Sequence, residues 1–313
     1  MRTGVVLMTY GSPRDLDDVA AYITRVRGGR EPGPDLLDEF RRRYTAIGMS
    51  PLIEIAQHQA AALEEDLGCD FVVGAGMRFS APSIAATVDD LASRGAERLV
   101  GVILSPQYSP TLMGGYDRAL QAAAGALPAR TVGAWHLNPA FVCVLGSRIQ
   151  AALAEYPDHT RERVHVLLTA HSLPKRVVDQ EPDYVEQLLS TARAVAAAAG
   201  LPHSRWSFVY QSAGHTPEEW LKPDMLDVLP VLAAAGHREV VVAPVQFLAD
   251  HLETLYDVDV AGREQAMAAG FETFIRIEAP NAAADFVSAL KDVVHAEIAA
   301  WEAAARGAAW LRV

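Results

Sequence analysis

Cysteine is scarce: only Cys69 and Cys143 occur in 313 residues. Two thiols cannot supply a four-cysteine zinc or iron–sulfur site, and they read as two buried thiols in a reducing compartment rather than a disulfide framework. Long apolar runs are missing as well. No stretch reaches the about 18 residues that would mark a membrane-spanning helix. The apolar start of the chain stops at Gly11-Ser12-Pro13, too soon for a secretory leader, and reads as a first strand. Basic residues are outnumbered, 27 Lys and Arg against 39 Asp and Glu, for a net charge of -12. Nucleic acid is therefore a poor partner, because phosphate binding needs a concentrated basic face. A soluble, cytoplasmic protein is the expectation.

What is present is an apolar chain, 50% hydrophobic and 21% charged, long enough for two domains at roughly 150 residues each. Short β-branched runs alternate with helical patterns. The runs lie at 5–9, 71–75, 99–104, 131–134, 164–169, 207–210, 240–243 and 273–277; helices are expected at 83–94, 141–155, 183–199 and 282–304. Runs apolar on both faces suit parallel strands covered on both sides, hence an α/β fold. A proline follows each strand. Its intervals are 69, 24 and 33 residues in the first half and 43, 27 and 36 in the second. The last two nearly match, while the first is longer by 26. This suggests two similar four-stranded halves, residues 1–140 and 141–313, with an insertion at about 27–52 in the first.

Ligands of open parallel sheets bind beyond the carboxyl ends of the strands. That rule selects Tyr10, Arg78, Gln107, His136, His171, Gln211 and the run Gln246 to Glu253. His171 can accept a proton or bind a borderline metal, or simply bond a loop carbonyl. On an α-helix, Asp250, Glu253 and Asp257 fall at i, i+3 and i+7 and share a face. Such stacked carboxylates form either a solvated acidic surface or a cation path. Arg27, Arg30 and Arg41-Arg42-Arg43 make the insertion the densest basic stretch, suited to an acidic small molecule or to an ordinary exposed helix.

The segments TYGSP (9–13), GREP (29–32), RYTAIGMSPL (43–52), GMRFSAPSI (76–84), SPQYS (105–109), AHSLP (170–174), YQSAGHTPEEWLKPD (210–224) and FLADHLETLYDVD (247–259) together resemble the ferrochelatase family. The resemblance implies two Rossmann-like domains of the chelatase fold around a porphyrin cleft, with the last helix, about 282–304, packing back toward the first domain. It implies a heme-biosynthesis lyase that inserts Fe²⁺ into a porphyrin, a monomer whose partners are porphyrin, Fe²⁺ and neighbouring enzymes of the pathway. Carried over by motif, His171 and Glu253 are the catalytic and metal-handling pair. Asp257 lies on a metal delivery path. Tyr10, Arg27, Arg43, Tyr44, Ser50 and Tyr116 line the porphyrin site, and Tyr10 is also an axial ligand to product iron. Tyr before Gly-Ser-Pro is similar to the water-soluble enzymes of Gram-positive type, which use coproporphyrin III.

The chain departs from the family pattern twice. Two cysteines cannot hold the [2Fe–2S] cluster that some members carry, so no permanently bound cofactor is expected. Ala261-Gly262 stands where related sequences continue the acidic line with Glu, leaving delivery to Asp257 and Asp259 or to water. Other readings remain beside coproporphyrin III: a protoporphyrin IX ferrochelatase, a chelatase for another tetrapyrrole or metal, and a non-catalytic haem-binding protein. The last would need Tyr10 but not Glu253.

Overall fold

Among the described residues, eight short runs become eight parallel strands in two sheets of one design. The computed structural model describes residues 1–214 and 217–310; His215 and Thr216, within the motif at 210–224, lie outside them. The first sheet holds β1 (Thr3–Thr9), β2 (Phe71–Met77), β3 (Arg98–Ile103) and β4 (Ala129–Thr131), in the order β2-β1-β3-β4. The second holds β5 (His165–His171), β6 (Trp206–Gln211), β7 (Glu239–Pro244) and β8 (Thr273–Arg276), in the order β6-β5-β7-β8. Each half is thus the same α/β arrangement, a four-stranded parallel sheet with helical crossovers.

Contacts divide the chain into two units. One comprises Met1–Ser12, Ile53–Ala140 and Asn281–Val313; the other comprises Pro13–Leu52 and Phe141–Pro280. A single cut at residue 140 therefore misses two exchanges. The basic segment, read as an insertion in the first half, clusters with the second sheet. The C-terminal helix Ala284–Trp310 belongs to the first unit, where Lys291 pairs with Asp66 at 3.1 Å and Glu302 with Arg98 at 3.3 Å.

In the first unit every residue of β1 is buried, as expected of a strand paired on both edges and covered on both faces. Gly76 on β2 lets a helix sit against the sheet: a Cβ there would lie 2.8 Å from Ile84 Cα. Ser83 starts that helix, Ile84–Ser93, by accepting the Ala86 N–H at 3.2 Å, which satisfies one of its orphan donors. The fourth strand comes earlier than the apolar run at 131–134 suggests. Val132 and Trp135 are buried, but the Trp135 indole reaches its place by donating to the Ile103 carbonyl at 3.3 Å. Trp135 shows that burial without strand pairing has the same sequence signature as a strand.

The second unit repeats the plan around β5. His165, expected in mid-strand, opens that strand, and its Nε2 bonds Ser207 Oγ at 3.0 Å. The thiols also differ from expectation: Cys69 and Cys143 are both free and exposed. Cys143 takes the outward face of the helix Pro139–Ala154 while Phe141 and Val144 turn inward; Cys69 occupies the bend before β2. Among the described residues no helix is long and apolar enough to cross a membrane.

Candidate functional site

The second unit gathers a histidine, two carboxylates and an arginine at the carboxyl ends of its strands. The sheet order places β5 between β6 and β7, so chain direction switches sides beside β5, the usual ligand position in such sheets. His171 is the last residue of β5. Its backbone N–H donates to Gln246 Oε1 at 2.8 Å, and Gln246 Nε2 in turn donates to the Tyr184 hydroxyl at 2.7 Å. The following loop is pinned by Ser172, whose N–H donates to the Gln211 carbonyl (2.7 Å) and whose hydroxyl donates to the Leu221 carbonyl (2.9 Å).

These bonds fix the imidazole's task. His171 Nδ1 bonds the Ser172 carbonyl, a contact only an N–H can make, so in the neutral ring Nε2 is the proton acceptor. Nε2 lies 3.6 Å from Glu253 Oε2. His251 repeats the arrangement: its Nδ1 bonds the Ala249 carbonyl at 2.9 Å, and its Nε2 lies 3.9 Å from the same Glu253 oxygen. Burial alone would push the Glu253 carboxyl up. The charges of His171, His251 and Arg43 outweigh it and hold the group down at about 2. Glu253 is therefore ionised at neutral pH.

Asp257 is pushed the other way. Burial raises its pKa and the neighbouring Glu253 charge adds to the rise; the Ser212 hydroxyl, Arg43 and His171 oppose it. Ser212 Oγ donates to Asp257 Oδ2 at 2.6 Å, and Arg43 Nη1 reaches Oδ1 at 3.2 Å. Two carboxylates whose environments separate their pKa values are suited to different proton roles.

The segment bearing them is not the expected α-helix. Glu253–Gly262 is wound as a π-helix of ten residues, a form that usually occurs as single turns at functional sites. Asp250 does not share its face. It precedes the helix and pairs with Arg276 at 3.0 Å, and Asp259 also turns to Arg276, at 2.8 Å. The i, i+3, i+7 pattern fails because it assumes 3.6 residues per turn from Asp250 onward. Glu253 and Asp257 remain as the acidic pair.

Of the other expected contacts in this unit, Arg43 is already engaged by Asp257 and by Glu39 one turn before it, and its guanidinium lies 5.4 Å from the Tyr256 ring centre. Tyr44, only 3% exposed, is a core residue of the helix Pro34–Ile47. Arg27 ends the helix Val19–Val26, and Ser50 Oγ accepts the Leu52 N–H at 3.4 Å. Ser212 was missed by reading the sequence, although it directly follows the flagged Gln211. Its φ of 57° is uncommon for a residue with a Cβ, and such strain concentrates at functional positions.

The first unit offers a different set at the equivalent strand ends. Tyr10, just past β1, is 42% exposed, with its ring 4.7 Å from Phe79. Arg78 stacks on Phe79 (4.9 Å) and on Tyr116 (5.2 Å). Gly115 makes room for it, since a Cβ there would fall 2.2 Å from Arg78 Nη2. Tyr116 is 5% exposed, and burial pushes its phenol up. A cavity of about 780 Å³ in this unit lies elsewhere, lined by Phe71, Glu64, Thr87 and Arg94 on the β2 side, and holds none of these residues.

The description "Ferrochelatase" belongs to a family model that matches residues 2–298. A ferrochelatase of Herpetosiphon aurantiacus is 37% identical over 302 residues, covering 94% of this chain and 98% of that protein. A coproporphyrin III ferrochelatase of Geobacillus kaustophilus is 36% identical over 301 residues, covering 93% and 94%. Among solved structures, SirB from Bacillus subtilis with Fe³⁺ shares the fold at TM-score 0.58 and 12% identity, over 94% of this chain and 95% of that one.

Proposed function

Because the chain belongs to the ferrochelatase family, a family of metal-inserting enzymes, we propose that its reaction is insertion of Fe²⁺ into coproporphyrin III to give coproheme. The observation that carries this reading is the opposition of His171 Nε2 and Glu253 Oε2 at 3.6 Å, with Nδ1 occupied by the Ser172 carbonyl. Insertion forms metal–nitrogen bonds and releases two protons from the pyrrole N–H groups. His171 Nε2 accepts one. Glu253, ionised between two imidazoles, takes up the second proton and passes Fe²⁺ onward from Asp257. Asp257, whose pKa burial and the Glu253 charge raise, is the outer member of the path.

Tyr10 is assigned as the ligand to product iron, and Arg27, Arg43, Tyr44, Ser50 and Tyr116 as substrate contacts. Arg43 reaches a propionate only by exchanging Glu39 or Asp257 for it. Two facts support four propionates rather than two: the basic stretch at 27–52 in a chain of net charge -12, and relatives named for coproporphyrin III. The test is anaerobic incubation with Fe²⁺ and either coproporphyrin III or protoporphyrin IX, followed by absorbance. Preferred turnover of coproporphyrin III is expected. Preferred turnover of protoporphyrin IX replaces it with the second substrate.

A further inference from the structure

One buried arginine near this site has no part in the chemistry so far. Arg276 ends β8 and its side chain is 10% exposed. Its Nε and Nη2 fork onto the two oxygens of Asp259, each at 2.8 Å; Nη2 also reaches Asp250 Oδ1 at 3.0 Å, and Nη1 donates to the Ile277 carbonyl at 3.2 Å. Asp250 immediately precedes His251, whose ring faces Glu253. Asp259 lies two residues beyond Asp257, inside the π-helix. One guanidinium thus holds the segment carrying His251, Glu253 and Asp257 from both ends.

The π winding needs such a holder. Its hydrogen bonds run from i to i+5, and long runs of it are rare. Asp250 lies three residues before the π-helix and Asp259 lies within it, so the two carboxylates meet one guanidinium across the helix start. The guanidinium forks onto Asp259 and also pairs with Asp250, so rewinding the segment would pull one of the two carboxylates away from it. A relaxed segment would also turn Asp257 relative to Glu253 and move it off Ser212 and Arg43.

We propose that Arg276 is a positioning residue for metal insertion: by tying Asp250 to Asp259 it fixes the winding that aims Glu253 at His171 and Asp257 at Ser212 and Arg43. This rests on the reading that His171 and Glu253 carry the chemistry. A displacement of about 1 Å at a reacting group costs about 10²-fold, so loss of the fork should lower kcat for Fe²⁺ insertion by about 10- to 10²-fold and raise the KM for Fe²⁺. The KM for porphyrin should change less than that for Fe²⁺, because the guanidinium touches none of the assigned porphyrin contacts directly and meets only Arg43 through Asp257.

Arg276→Met alone would take the buried cation away from two half-buried carboxylates and could unfold the protein. Two further variants keep the test decisive. Arg276→Lys retains the charge but cannot fork, and the triple variant Arg276→Met, Asp250→Asn, Asp259→Asn removes all three charges together. Both are expected to melt near the wild-type temperature and to show the split between metal and porphyrin KM. Wild-type kcat and metal KM in either folded variant overturns the proposal. His171→Ala and Glu253→Gln run beside them. Normal rates in that pair instead remove the underlying reading, whereas loss there with normal rates in the Arg276 variants removes the clamp alone.

Discussion

The two units share a plan and differ at its tips. Both have a seven-residue central strand, Thr3–Thr9 or His165–His171, flanked in the same order. Both follow it with a serine and then a proline, Gly11-Ser12-Pro13 or Ser172-Leu173-Pro174. Where the first unit ends β1 in Thr9-Tyr10, the second ends β5 in Ala170-His171. Around Tyr10 stand Phe79 and the stacked Arg78 and Tyr116. Around His171 stand Glu253, His251 and, one step further, Asp257 with Arg43. The fold supplies a place beyond the strand ends, and the side chain installed there separates aromatic and cationic contact on one unit from the proton exchange proposed for the other.

That contrast breaks most sharply at the two strand tips. His171→Ala should lower kcat by about 10²–10⁴-fold, the usual cost of removing a positioned acid–base group, while porphyrin binding persists. Tyr10→Phe keeps the ring against Phe79 and should lower kcat far less. Absorbance-followed turnover of both variants checks this; equal losses would mean that the two tips share one chemical task. Glu253→Gln keeps the shape, removes the charge between two imidazoles, and should cost about 10²-fold. A wild-type rate would move the proton path off this carboxylate.

A smaller effect sharpens the outer end of the acidic pair. Ser212 combines a left-handed backbone with a hydrogen bond to Asp257. Ser212→Gly loses the bond but relieves the backbone, whereas Ser212→Ala loses the bond and keeps the strain. The alanine variant should be the less stable by about 1 kcal/mol, read from denaturant midpoints. Both should insert metal more slowly if the hydroxyl orients Asp257.

Much of this was legible in the chain. Eight strands, their parallel pairing and the strand-end positions of Tyr10, His171 and Gln211 follow from apolar runs and the prolines that close them. Less legible is what long-range contact decides. Arg43 and Asp257 are 214 residues apart, so nothing local assigns the basic segment to the second unit. The π winding of Glu253–Gly262 leaves no mark in a pattern whose apolar residues also suit an α-helix, and so Asp250 was grouped with the wrong partners. Cys143 was expected to be buried as one of two scarce reduced thiols, but its place on the outward face of a helix is set by packing that a cysteine count does not report.

The smallest prediction returns to a feature that the first unit shows at its sheet edge. At Val73 on β2, the N–H donates to Glu64 Oε2 at 2.7 Å and the carbonyl accepts from Arg94 Nη1 at 3.4 Å, while Glu64 and Arg94 pair with each other at 2.5 Å. The ion pair takes the place of a neighbouring strand, one way to blunt an edge that would otherwise template aggregation. Burial would raise the Glu64 pKa, but the Val73 N–H and Arg94 outweigh it and set it below the usual 4.5. A carboxyl lowered on folding stabilises above its unfolded pKa and loses that contribution as pH falls through the folded one. Glu64→Gln should therefore cost about 1 kcal/mol at pH 7, given partial exposure. The two melting curves should converge as pH drops below 4.5. A stability gap that stays constant down through that range would show that the side chain acts by packing and not by its charge.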